Sequence, residues 1–196
     1  MGLQIKIGHR REFQSKELWA MHRLRTRMFR DRMGWDVPVL SGMEIDGYDA
    51  LDPYYLIIGS DDSEVAGCWR LLPTIGPNML KDTFPQLLHG KAPPESGDIW
   101  ELSRFAIEAD GPQGFGASEM TVNAMREMVT FADRMGIRHY VTVTTTSIER
   151  LMRRTGIAMT RFGPPMRIGV ENAVALSIDL GDQTHDALFG EIGKAA

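Results

Sequence analysis

The sequence predicts an α/β domain: a mixed sheet with helices packed on it. Three observations carry that expectation. Apolar, β-branched runs stand at 3–8, 54–59, 64–73, 99–108 and 139–146. Amphipathic helical stripes fall at 15–32 and 117–135. Strands before, between and after the helices call for one shared sheet rather than segregated layers. The 196 residues suit a single domain over 1–196.

LQIKIG (3–8) reads as a strand, and a helix follows from Ser15 to about Arg32. Its apolar positions Leu18, Met21, Leu24 and Met28 recur at helical spacing, with Arg23, Arg27 and Arg30 on the opposite face. Residues 33–53 are rich in Gly and Asp and lack periodicity. A loop that long inside a compact domain is commonly functional, for example one that closes over a substrate. YYLIIG (54–59) and EVAGCWRLLP (64–73), joined by a short polar turn, predict a hairpin. Pro73, Pro77, Pro85, Pro93 and Pro94 break up 74–98, leaving short helical pieces around 79–90. IWELSRFAIE (99–108) is a strand that carries charge. After the DGPQGFG turn, 117–135 is the clearest helix, with Met120, Ala124, Met128, Phe131 and Met135 as its stripe and Gly136 as its stop. HYVTVTTT (139–146) is a strand, and Ser147 is the expected cap of a short helix ending at Gly156. Strands at 166–170 and 173–180 and a helix near 184–190 complete the chain.

Composition narrows the function. Lys and Arg number 22 and Asp and Glu 26, a net charge of −4, which argues against general nucleic-acid binding. No apolar run is long enough to span a bilayer, so no membrane partner is expected. The N-terminus lacks a signal-peptide core and the Ser/Thr of a myristoylation site. Cys68 is the one cysteine and the five histidines are scattered, so neither a disulfide nor a metal site is expected. Cys68 itself reads as a buried small hydrophobe, and the cytoplasm is the expected address. Thirteen methionines fit either a core that needs slack or a pocket for a flexible apolar ligand.

Three constellations put polar residues where strands and helices should be apolar. Alternation along W-E-L-S-R-F places Glu101, Ser103 and Phe105 on one face and Trp100, Leu102 and Arg104 on the other. Arg70 follows Trp69 inside GCWRLL, and the loop adds Glu44, Asp46 and Asp49. Buried charges must be paired. Arg70 and Arg104 against Asp46, Asp49 and Glu101 could fasten the loop to the sheet, form a charged cleft for a small zwitterion, or both. Arg25 and Phe29 share a helix face and Trp35 follows in the loop, which suits either a ligand with a planar base and a carboxylate or ordinary aromatic packing. Thr142, Thr144 and Thr146 alternate onto one face, as β-formers or as a row of hydroxyl donors.

In this order and spacing, the constellations resemble the LuxI-type acyl-homoserine-lactone (autoinducer) synthases. The residues that carry the likeness are Arg25, Phe29 and Trp35; Glu44, Asp46, Tyr48 and Asp49; Arg70; and Trp100 through Phe105. The stretches GMEIDGYDALDPYYLI, GCWRLLPTIGPNMLKDTFPQLLHGK and VTVTTTSIERLMRRTG look most like the LasI-like branch, whose members make long-chain 3-oxo-acyl lactones. The resemblance implies a twisted mixed sheet with a V-shaped cleft flanked by helices, similar to the Gcn5-related N-acyltransferases. It implies S-adenosylmethionine and a fatty acyl–acyl carrier protein as substrates, with no further cofactor. The methionyl amine would attack the thioester. The substrate's carboxylate would then close the lactone and release 5′-methylthioadenosine. An α-amine of pKa about 7.7–8.0 is already partly neutral at pH 7 and needs only a modest base.

On that likeness Glu101, Arg104, Arg70, Asp46 and Asp49 form the expected catalytic set, with Glu101 as base, directly or through water. Arg25, Phe29 and Trp35 are expected at S-adenosylmethionine. The expected acyl slot is lined by Met79, Leu102, Ser103, Phe105, Met125, Thr142, Val143, Thr144 and Met152. Thr144 would bond a 3-oxo group, with Ser103 assisting. Carrier proteins are acidic, so Lys81, Lys91, Arg150, Arg153 and Arg154 form the expected docking patch. Two other readings stay open: an acyl-CoA N-acyltransferase, for which Gln113–Ser118 is a near match to a pyrophosphate loop, and a non-catalytic ligand sensor.

Overall fold

The computed structural model describes residues 3–60, 64–108 and 119–190. Its order is β1 (Gln4–His9), α1 (Ser15–Arg25), β2 (Val39–Leu40), β3 (Met43–Glu44), β4 (Tyr54–Gly59), β5 (Val65–Pro73), α2 (Met79–Asp82), β6 (Ile99–Ile107), α3 (Glu119–Met135), β7 (His139–Thr145), α4 (Thr146–Arg154), β8 (Met159–Arg161), β9 (Met166–Ile168), β10 (Glu171–Asp179) and α5 (Asp182–Phe189). The main sheet runs β1-β4-β5-β6-β7-β10-β8, with β9 also on β10. Its pairs are antiparallel except β6·β7, which are parallel. The expected α/β architecture is present. The near match to a pyrophosphate loop at Gln113–Ser118 lies outside the described residues.

The parallel pair explains where a site can form. Ile99–Leu102 pair with His139–Thr142, and no further. Beyond that point β6 continues only on β5 and β7 only on β10, so the sheet parts between residues 103–107 and 143–145. The sheet thus keeps two packed faces, with the parting in one of its central pairs.

Apolar side chains divide between those faces. Leu56, Trp69, Leu71, Trp100, Leu102, Met125, Met128, Phe131, Tyr140 and Met152 bury one face under α3, α4 and α5. Met21, Leu24, Met28, Phe29, Tyr55, Ile57 and Cys68 bury the other under α1. Arg23, Arg27 and Arg30 face outward, as the periodicity requires. After Arg25 the helix widens into a π-helical stretch, Thr26–Arg32, which a 3.6-residue period does not predict. Cys68 is buried and its thiol is pushed up to about 12 by burial, consistent with an inert core position.

Several local expectations are corrected. Met135 is 42% exposed, and Ile137 takes the core place beyond Gly136. Thr145, not Ser147, caps α4: its hydroxyl accepts the Ile148 N–H at 3.3 Å. Thr146 therefore starts the helix, and only Thr142 and Thr144 share a strand face. β8 was hidden by its exposed, non-alternating Met-Thr-Arg sequence. The 33–53 stretch is not shapeless: it holds the β2–β3 hairpin and a 3-10 turn at Gly47–Leu51.

Candidate active site

The largest correction lies in β6. Cys68 pairs with Ala106 and Arg70 with Ser103, so Arg104 and Phe105 together oppose Trp69. Such a bulge inserts one residue and breaks alternation. Arg104 sits in the left-handed region at φ 57°, an uncommon place for a side chain of this size. The insertion moves Arg104 to the face of Glu101 and Ser103. It turns Phe105 to the other side, where its ring stacks on Trp69 at 4.3 Å. Alternation alone had placed these two residues the other way round.

The charged residues then converge. The 33–53 loop supplies its acids in fixed geometry. Asp46 caps the Gly47–Leu51 turn by accepting the Tyr48 N–H at 2.9 Å, and Asp49 accepts the Asp46 N–H at 2.9 Å in return. That reciprocal cap is why the two acids stand three apart. Arg25 grips Asp49 with two parallel bonds of 2.8 and 2.9 Å and reaches Glu44 with Nε. Arg70 bonds Asp46 at 2.5 and 3.1 Å, Asp49 at 2.9 Å and the Ser103 hydroxyl at 3.1 Å. Arg104 lies 3.0 Å from Glu44 and 2.7 Å from Asp46. Arg25, Arg70 and Glu44 are fully buried. Paired forks of this kind are the strong form of an ion pair. The Tyr55 hydroxyl donates to Asp49 at 2.7 Å, and His22 Nδ1 donates to the Glu44 carbonyl at 2.9 Å. Sequence reasoning missed both, since neither residue breaks its element's pattern.

Three guanidiniums and three carboxylates balance in this network. Burial opposes the charge on Asp49, but Arg25 and Arg70 override it and hold the carboxyl well below the usual range. Glu101 is the odd acid. It makes no ion pair among the described contacts; its two oxygens accept the Met79 and Leu80 backbone N–H groups at 3.0 and 2.6 Å. Burial raises its carboxyl above the ordinary value, against the pull of those amides and of Arg70 and Arg104. The Met79 sulfur lies 3.2 Å from Arg70 and 3.3 Å from Arg104, a soft acceptor in the middle of the cluster.

Aromatic residues flank this centre. Phe29 and Trp35 stack on each other at 5.3 Å with planes 6° apart, and Arg104 lies over Phe29 at 5.6 Å. Of the expected slot residues, Leu102, Phe105, Met125, Thr142, Thr144 and Met152 belong to the face under α3 and α4, by packing or by strand alternation. Met79, Ser103 and Val143 stand on the opposite face, and the wedge between β6 and β7 is where the two groups meet. Arg150, Arg153 and Arg154 are exposed along α4. Arg153 is tied to Glu149 at 2.8 Å, while Lys91 is exposed and Lys81 pairs with Glu95 at 3.0 Å. Glu149, buried and bonded to both Arg153 and Arg161, joins α4 to β8. Its four-residue spacing from Arg153 was the available signal.

The autoinducer synthase family model matches residues 9–188. The chain belongs to that family. This synthase is 50% identical over 190 residues to an acyl-homoserine-lactone synthase of Pseudomonas aeruginosa, covering 96% of this chain and 94% of the relative. The crystal structure of the AHL synthase LasI superposes with a TM-score of 0.89 at 51% identity, covering 96% of this chain and 95% of that one. A CoA-dependent synthase, BjaI, solved with SAM and isopentyl-CoA, matches at TM-score 0.86 and 27% identity over 100% of this chain and 92% of that one. The fold alone extends to an acyl-CoA N-acyltransferase from Pseudomonas aeruginosa, at TM-score 0.59 and 14% identity over 90% of this chain and 99% of that one. The synthase is therefore a transferase of autoinducer synthesis for quorum sensing, on the mixed-sheet fold of the N-acyltransferases. Among the described residues no helix is long and apolar enough to cross a membrane.

Proposed function

We propose that this synthase acylates the α-amine of S-adenosylmethionine from a fatty acyl–acyl carrier protein and then lactonises the product. The observation that carries the reading is the surplus acid Glu101, buried beside a charge-balanced Arg/Asp/Glu network at the edge of the opening between β6 and β7. An ionised Glu101 adds one negative charge to a neutral surround, which suits an ammonium or sulfonium group and supplies a proton acceptor. The SAM-bound structure of the relative BjaI supports that choice of acceptor.

In the first step Glu101 takes a proton from the amine, directly or through water. The nitrogen attacks the thioester carbonyl, a C–N bond forms, the C–S bond breaks and the carrier's thiol leaves with a proton. In the second step the substrate's carboxylate attacks its own γ-carbon. A C–O bond forms, the sulfonium C–S bond breaks, and 5′-methylthioadenosine departs. Lactone closure is intramolecular, so orientation dominates its barrier. Arg25, Arg70 and Arg104 fix Asp46 and Asp49, and Phe29 with Trp35 would flank the adenosine. The acyl chain would enter the wedge past Leu102, Met125 and Met152, with the Thr144 hydroxyl offered to a 3-oxo oxygen. The exposed arginines Arg150, Arg153 and Arg154, with Lys81 and Lys91, would meet an acidic carrier protein.

The test is release of methylthioadenosine with S-adenosylmethionine and either 3-oxo-acyl carrier protein or the matching acyl-CoA. Release that needs both substrates, with kcat/KM higher for the carrier-bound donor, supports the proposal. A preference for the CoA donor overturns the carrier assignment, and acylation of other amines without methylthioadenosine overturns the whole reading.

A further inference from the structure

We propose that Thr74 and Asn78, in the connector from β5 to α2, are positioning residues that aim the Glu101 carboxylate. The inference rests on the reading of Glu101 as the proton acceptor. Both Glu101 oxygens are held by the first two backbone N–H groups of α2, Met79 and Leu80. That helix is a single turn of four residues, too short to stand by itself. Whatever holds α2 in place therefore holds the carboxylate.

Two buried polar side chains do so. Asn78 is 2% exposed and caps α2: its Oδ1 accepts the Lys81 N–H at 3.0 Å, and its own N–H donates to Asp82 at 3.0 Å. Its Nδ2 donates to the Gly76 carbonyl at 3.1 Å, which closes the connector on itself. Thr74 is fully buried. Its hydroxyl donates to the Ile99 carbonyl at 2.8 Å and accepts the Ser96 N–H at 3.1 Å, while its N–H also reaches Ile99 at 3.0 Å. Ile99 lies two residues before Glu101 on the same strand. A ring of bonds thus runs from the start of β6 through Thr74 and Asn78 into α2 and back to Glu101. Neither side chain touches the arginine network, so stabilising that network does not account for them.

The ring has a chemical consequence. Amide donors favour the charged carboxylate. The other charged or titratable groups that act on it are Arg70 from β5, Arg104 from β6 itself, and the Tyr48 phenol from the 47–51 turn, which in turn feels Asp82 on α2 and Asp46. If α2 drifts, the amides are lost, Glu101 protonates more readily, and the acid limb of the rate profile moves to higher pH.

The experiment measures kcat, KM and the pH–rate profile of methylthioadenosine release in Thr74→Val and Asn78→Ala. Thr74→Ser and Asn78→Ser serve as conservative partners, Glu101→Gln is run in parallel, and thermal midpoints are recorded for all. Thr74→Val and Asn78→Ala are expected to lower kcat about tenfold with KM for S-adenosylmethionine within about twofold, and to raise the acid limb by about half a unit or more. The serine variants should keep the wild-type limb. Lower thermal midpoints with an unmoved limb would overturn the proposal, and so would serine variants as impaired as their partners. The two sites test it independently, so one variant that fails to fold leaves the other decisive. If Glu101→Gln itself retains the limb, the base reading fails first; if it abolishes the limb while the other variants leave it unmoved, the positioning inference alone fails.

Discussion

Asp49→Asn is the sharpest test of how the loop is held to the sheet. Asp49 is 3% exposed and accepts from five donors: two from Arg25, one from Arg70, the Tyr55 hydroxyl and the Asp46 N–H. Asparagine keeps the shape but turns one acceptor into an NH₂ that faces a guanidinium. The cluster changes from three cations and three anions to three and two, with Arg25 and Arg70 still fully buried. Removing one partner of a buried pair costs about 3–5 kcal/mol. Against a total stability of about 5–15 kcal/mol this is a large share. At about 2–4 °C per kcal/mol for a chain of this size, Tm should fall by roughly 10 °C. Calorimetry and urea titration both read it. The acid side adds a signature. Since the native Asp49 carboxyl is held below its ordinary value, its contribution is complete above about pH 4 and drains as pH falls through the native value. The variant should therefore lose less stability between about pH 4 and pH 2 than the wild type. Asp31→Asn, which breaks the exposed Arg30–Asp31 pair, should barely move Tm. A loss of under about 1 kcal/mol in Asp49→Asn, the scale of a surface pair, would refute the account.

Four further outcomes are expected. Glu101→Gln should slow methylthioadenosine release about 10²-fold with KM for S-adenosylmethionine little changed, and the wild-type rate should fall as pH drops through the raised Glu101 value, because only the ionised form accepts a proton; a near-normal rate would remove the base role. Thr144→Val should cut the preference for 3-oxo over unsubstituted donors by about fivefold, the worth of one hydrogen bond, as read by competing the two donors; an unchanged product ratio would count against that contact. Reversing charge with Arg150→Glu and Arg154→Glu should raise KM for the carrier protein about tenfold or more at low salt and leave KM for S-adenosylmethionine alone, whereas equal effects on both would speak against docking on α4. In Gly163→Ala the new Cβ would lie 2.0 Å from the His89 ring, so denaturant titration should show a loss of about 1–3 kcal/mol as the ring is displaced.

The layers of the fold were legible because they follow from hydrophobic period, and period survives in one sequence. The charged centre was legible for a related reason: Arg70, Glu101 and Arg104 stand in strands where burial forbids an unpaired charge, so partners had to exist. What escaped was geometry that period does not encode. The bulge at Arg104 needs a left-handed residue, and no glycine marks the place. The π-helical turn shifts hydrogen bonds without altering composition. Glu101 was expected to pair with arginine, yet its nearest donors are main-chain amides, which carry no side-chain signature. The cap at Thr145 rather than Ser147 is a boundary shift of two residues, set by where β7 stops pairing.

The extra residue in β6 also says which kinds of change this strand can survive. Because one added position at Arg104 exchanges inside and outside for everything downstream, the strand's length is under tighter control than its composition. Trading Phe105 for another bulky side chain is a graded insult that neighbouring rings can absorb. Deleting Phe105 would instead restore the ordinary alternation, sending the guanidinium toward the greasy layer and taking from Glu44 and Asp46 the cation they share, with only Arg25 left on the first and Arg70 on the second. Evolution of this enzyme should therefore vary the apolar letters of 99–107 more readily than its letter count, with Glu101 and Arg104 kept for the charges they carry.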